Sequence, residues 1–130
     1  MMLLRLDETH EVGVIEMGMN QRREIFELTA MTEPDVALWL NVGTAHIGEL
    51  GSIEAIAEAK AEILEAAPPH AVLVVNRDDR RVMEHARAHA KERLRTFGRS
   101  PDSDVRLVDR RTDGGRAGDS ELPSSMGSRS

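Results

Sequence analysis

Three apolar runs in this sequence each end in side chains able to do polar chemistry. Val12-Gly-Val-Ile-Glu16 leads on to Asn20. Asp35-Val-Ala-Leu-Trp-Leu-Asn41 leads on to Thr44 and His46. His70-Ala-Val-Leu-Val-Val75 leads on to Asn76, Asp78 and Asp79. A carboxylate, an imidazole and a turn rich in oxygen donors have the chemistry of a divalent-cation and nucleotide site. Each also has a plainer reading. Glu16 can be a solvated strand-end acid, Asn20 and Asn41 turn formers, and Asp78 or Asp79 the N-cap of the next helix.

Lys60 is the fourth place. At 3.6 residues per turn, Ile53, Ile56, Ala57, Ile63, Leu64 and Ala67 share one helix face, and Glu54, Glu58, Glu62 and Glu65 take the other. Lys60 falls inside the apolar face. An ammonium there must snorkel to water, shed its proton, pair with an acid or be chemically modified. Because helical side chains lean toward the N-terminus, Lys60 is expected to reach toward the rim that carries Glu16 and His46.

Other polar patterns read as surface. His85 and His89, four apart, have the spacing of a two-imidazole metal site. They alternate with Glu84, Arg87 and Lys91, as on a solvated face. Arg77, Arg80 and Arg81 could meet phosphate, but they suit a charged helix start. No glycine is followed by lysine, so the phosphate-cradling pattern G-x-x-x-x-G-K-[ST] is absent.

The elements that must position these residues alternate. Strands are predicted at 12–16, 35–41, 70–75 and 95–97, with a further short one at 104–108. Helices are predicted at 23–31, 52–66 and 80–94, the first stopped by Pro34 and the second by Pro68-Pro69. Strands alternating with helices of this length imply right-handed crossovers and a mainly parallel sheet with flanking helices, an α/β class. In such a sheet ligands sit beyond the carboxyl ends of the strands, where all three polar clusters fall. Residues 1–109 are expected to form the domain and 110–130, rich in Gly, Ser, Arg and Asp, a disordered tail.

The formal charge of −6 disfavours nucleic acid and anionic membrane as partners. The charge belongs to residues 1–98, because acids and bases balance beyond them. No cysteine, signal-peptide pattern or membrane-length apolar run is present, and a cytoplasmic location is expected.

Read in order, Leu3-Leu-Arg-Leu-Asp7, Val14-Ile-Glu-Met-Gly-Met-Asn20, Asn41-Val-Gly-Thr-Ala-His46, Gly51-Ser-Ile-Glu-Ala-Ile-Ala-Glu-Ala-Lys-Ala-Glu-Ile63 and Val75-Asn-Arg-Asp-Asp79 resemble the Mur ligase family, from about Leu3 to about Val108. The resemblance implies part of a P-loop NTPase-like central domain that lacks its phosphate loop, and an ATP-dependent carboxylate–amine ligase of peptidoglycan synthesis. The asparagine-to-histidine run points to the branch whose incoming amine is D-alanyl-D-alanine and whose other substrate is a UDP-linked muramyl peptide. Carried over by position, Glu16 and His46 are Mg²⁺ ligands and Lys60 a carbamylated, metal-binding lysine. Asn76 contacts the adenine of ATP, and Asn20 lies near the substrate and phosphate. Gln21 and Ala61 depart from residues common in the family. Without the phosphate loop the 130-residue chain alone is expected to be inactive. The alternatives are a non-catalytic nucleotide- or metal-binding module and a fragment resembling folylpolyglutamate synthase.

Overall fold

In a computed structural model, residues 6–45, 47–89, 91–112 and 120–121 are described. The order is α1 (Glu24–Thr32), β1 (Val36–Trp39), α2 (Ile47–Leu50), α3 (Ile53–Ala66), β2 (Val72–Asn76), α4 (Arg80–Ala86), β3 (Leu94–Gly98), β4 (Val105–Arg106), β5 (Arg111–Thr112) and β6 (Ser120–Glu121). Strands β1 to β4 form one sheet in chain order, and every neighbouring pair is parallel.

The core follows from the alternation of side chains along a strand. Ala37, Trp39, Leu73 and Val75 are buried with Leu64 of α3 and with Val82, Met83 and Ala86 of α4. Among the described residues the opposite face is open. Val36 is 56% exposed and Leu38 48%, and Leu40 and Val72 join them. Helix α1 packs on α3, where Ile25 meets Ile56 and Ala59 around Met19.

Three predicted elements are revised. Residues 12–16 form no strand, and Val12 and Val14 are 78% and 85% exposed. An apolar run without a neighbouring strand to take its amides has no ladder to join. Helix α4 ends at Ala86 rather than continuing to Leu94. Its buried stripe of Val82, Met83 and Ala86 finishes there, and a 3₁₀ turn at Lys91–Arg93 leads directly into β3. The Arg93 guanidinium fixes that exit by donating to the carbonyls of Ala71 (3.1 Å) and Pro68 (2.9 Å). The fifth predicted strand shrinks to Val105–Arg106.

Strand β4 runs parallel to β3 after only residues 99–104, although parallel neighbours ordinarily need a crossover of a dozen or more. The short return works because β4 pairs only with the last two residues of β3, Phe97 and Gly98. Asp104 anchors it, its carboxylate accepting the Thr96 N–H (2.8 Å) and Oγ1–H (3.1 Å). Further along, β5 and β6 make a two-residue antiparallel ladder.

Candidate functional site

Of the predicted site residues, Lys60 and Asn76 lie at the sheet's carboxyl edge, with Asn41 and Asp79 beside them. Beyond β1 the chain enters Asn41–Thr44, and the single peptide group joining Asn41 to Val42 is held from both ends. Its carbonyl accepts from Trp39 Nε1 (3.1 Å) and from Lys60 Nζ (3.3 Å), and its N–H donates to Asp79 Oδ2 (2.9 Å). Lys60 is half-buried on α3, between buried neighbours Ala59 and Ala61, and reaches the rim as its place on the apolar face predicts.

At the end of β2, Asn76 opens an Asx turn, its Oδ1 accepting the Asp78 N–H at 2.9 Å. The two acids that follow are structural. Asp79 is the N-cap of α4, with Oδ1 accepting from the N–H groups of Arg81 (3.0 Å) and Val82 (3.2 Å). Asp78 accepts the N–H groups of Arg99 (2.7 Å) and Ser100 (3.0 Å). The Arg99 N–H above all holds the Asp78 carboxyl below its ordinary value; burial, next in size, opposes it, and the Ser100 N–H and the Arg99 charge add to the lowering.

Met17 and Met19 carry the chain between Glu16 and Asn20. Met17 Sδ accepts the Thr29 hydroxyl at 3.4 Å, and Met19 is buried against α1 and α3. Glu16 is exposed and has no hydrogen-bond partner among the described residues. The backbone N–H groups of Asn20 and Gln21 donate to Glu24 Oε2, which lowers the Glu24 pKa. His46 lies outside the described residues. Among the described residues no group of three or more His, Cys, Asp or Glu side chains gathers to hold a metal ion. With Asp78 and Asp79 committed to backbone amides, Glu16 is the remaining carboxylate of the predicted set.

Two side chains depart from their sequence readings. Glu62, expected on the polar face of α3, is only 7% exposed. Its carboxylate accepts the N–H groups of Arg23 (2.9 Å) and Phe26 (3.2 Å), closing the start of α1. Capping residues normally precede their helix in sequence, so a cap 36 to 39 residues away leaves no local signature. His85, expected on a solvated face, is half-buried with its ring tilted against Trp39, centroids 5.9 Å apart. The arginine run is surface, as its charge pattern suggests. Arg77 meets Asp102, Arg80 meets Glu84 and Arg81 meets Glu54. The last two pairs line a cleft of about 280 Å³ between the first turns of α3 and α4.

Residues 1–119 match the family model of the Mur ligase middle domain. The chain belongs to the Mur ligase family. It is 43% identical over 96 residues to the UDP-N-acetylmuramoyl-tripeptide–D-alanyl-D-alanine ligase of Synechocystis, a match covering 74% of this chain and 21% of that protein. To the enzyme of the same name from Bacillus subtilis it is 35% identical over 107 residues, covering 82% and 22%. A solved structure of MurF from Acinetobacter baumannii superposes with a TM-score of 0.72 at 34% identity, covering 85% of this chain and 24% of that one. The chain thus spans about a fifth of the length of the curated Mur ligases it matches. The parallel sheet with flanking helices is that of a Mur ligase middle domain. Among the described residues no helix is long and apolar enough to cross a membrane.

Proposed function

We propose that this chain is the adenine-and-metal part of an ATP-dependent, cytoplasmic carboxylate–amine ligase of peptidoglycan synthesis, one that joins D-alanyl-D-alanine to UDP-N-acetylmuramoyl-tripeptide. The observation that carries the reading is the convergence of Lys60, Asp79 and the Asn76 turn around the Asn41–Val42 peptide. It brings the ends of β1 and β2 and the body of α3 to the edge where open parallel sheets bind ligands. In such a reaction ATP phosphorylates the peptide carboxylate, and the incoming amine attacks the acyl phosphate, releasing phosphate.

The residues present serve one end of that chemistry. Because Asn76 Oδ1 is taken by the Asp78 N–H, its amide NH₂ is left to donate to a ring nitrogen of adenine. Asn20, beside the substrate and phosphate end, can donate or accept through its exposed amide. Mg²⁺, when bound, screens phosphate charge. Glu16 and His46 are the residues assigned to hold it. Lys60 as an ammonium has no lone pair for a cation. Carbon dioxide bonding to Nζ, with loss of two protons from the ammonium, would make it a carbamate whose Nζ keeps one N–H for the Asn41 carbonyl and whose carboxylate would supply oxygen donors to the cation.

Within these 130 residues no G-x-x-x-x-G-K-[ST] loop cradles a triphosphate. The purified chain, given ATP, D-alanyl-D-alanine and the UDP-muramyl tripeptide, is therefore expected to form no product, and measurable ligation would overturn this part of the reading. Adenosine added to ¹⁵N-labelled chain should shift the resonances of Asn76, Asp78 and Arg99, and Asn76→Ala should abolish those shifts. Shifts that persist in the variant, or none in the parent, would refute the adenine assignment.

A further inference from the structure

We infer that Asp79 is a positioning residue for Lys60, acting through the Asn41–Val42 peptide. One peptide group is held by three side chains. Its N–H end is held by Asp79 Oδ2 at 2.9 Å, and its carbonyl end receives Lys60 Nζ at 3.3 Å and Trp39 Nε1 at 3.1 Å. A peptide unit is planar, so fixing the direction of the N–H fixes the direction of the carbonyl. Lys60 therefore finds its acceptor where Asp79 has aimed it.

Helix capping alone does not account for this arrangement. An N-cap needs one acceptor oxygen, and Asp79 Oδ1 already serves Arg81 and Val82. The second oxygen reaches a loop 37 residues earlier in the chain. A carboxylate is the one side chain of this size that accepts on both branches. Asparagine caps helices as well as aspartate does, but it would set an NH₂ donor against one of the N–H groups. Serine keeps a cap and has no second branch.

The two roles separate in Asp79→Asn and Asp79→Ser. Lys60 and Lys91 are the only lysines of the chain, so the exposed Lys91 is an internal reference for amine labelling. In both variants the Val42 amide should lose its protection from hydrogen exchange, while Val82 to Ala86 keep theirs. Labelling of Lys60 by acetic anhydride, relative to Lys91 in the same digest, should rise roughly three- to tenfold, as the loss of one hydrogen bond from a restrained amine predicts. An unchanged Val42 amide and labelling ratio would overturn the inference. So would loss of α4 protection in both variants, because that assigns Asp79 to folding alone. The inference takes its functional meaning from Lys60 being the site lysine, but its test does not depend on nucleotide. Adenosine shifts at Asn76 with an unaltered labelling ratio would remove the positioning role and leave the ligase reading standing.

Discussion

At the scale of single residues, acids in this chain act mainly by receiving backbone amides. Glu62 is the most buried example, and it holds Arg23 in a left-handed conformation (φ 74°) that a non-glycine residue adopts at a cost of about 1–2 kcal/mol. The Arg23 guanidinium also lies 3.8 Å over the Phe26 ring. Glu62→Ala removes both carboxylate contacts and leaves two amides without their partner. It should cost about 1.5–3 kcal/mol in urea unfolding, with Glu62→Gln losing less. Asp78 makes the corresponding prediction in pH. Its pKa is lowered on folding, so its contribution is complete above the ordinary aspartate value of about 3.9 and is lost as pH falls through the lowered one. Amide exchange at Arg99 and Ser100, corrected for the intrinsic rate, should accelerate across that acid window. In Asp78→Asn the same amides should already exchange fast at neutral pH, with no acid step.

At the scale of elements, the sequence was legible wherever a periodic apolar pattern ended in local chemistry. Helix α3 is the clearest case. Its stripe of Ile56, Ala57 and Leu64 is buried, and Ser52 caps it by accepting the Ala55 N–H at 3.1 Å. Lys60 was visible as a cation inside that stripe, and so was its direction of reach. What was illegible depends on partners far away in the chain. The run Val12–Glu16 has the composition of a strand but no neighbour to pair with among the described residues, and Glu62 looks solvated until α1 is placed against it. The turn between β3 and β4 belongs to this second group. Gly98 has φ +151°, and a Cβ there would lie 2.7 Å from Asp78 Oδ1, a carboxylate pinned by two amides. Gly98→Ala must therefore displace Asp78 as well as strain the backbone. A loss of about 1–3 kcal/mol in thermal or urea unfolding is expected. Asp78→Asn combined with Gly98→Ala should fall short of the sum of the singles, since the contact is shared.

At the scale of the whole molecule, the described residues cover the sheet on one face only. Parallel sheets are ordinarily buried on both, and their strands are correspondingly apolar throughout. Here Val36, Leu38, Leu40 and Val72 form an exposed apolar patch next to the edge of β1, which is unpaired among the described residues, while Ala37, Trp39, Leu73 and Val75 supply the core on the other side. The two faces should therefore respond in opposite ways to the same kind of change. Leu38→Thr places a β-branched residue in the strand and removes apolar surface that none of the described residues covers, so folding stability should change by less than about 0.5 kcal/mol. Leu73→Ala empties a fully buried position and should cost about 2–5 kcal/mol. A dye that fluoresces on apolar surface, such as ANS, should bind the folded parent and lose part of its signal in Leu38→Thr and more in Leu38→Thr with Val72→Thr. Leu73→Ala should raise the signal only as the chain unfolds. If the parent left the dye dark at concentrations where the chain is folded and monomeric, the open face would be refuted. The Val36–Leu38–Val72 surface would then have to be covered by another part of the chain.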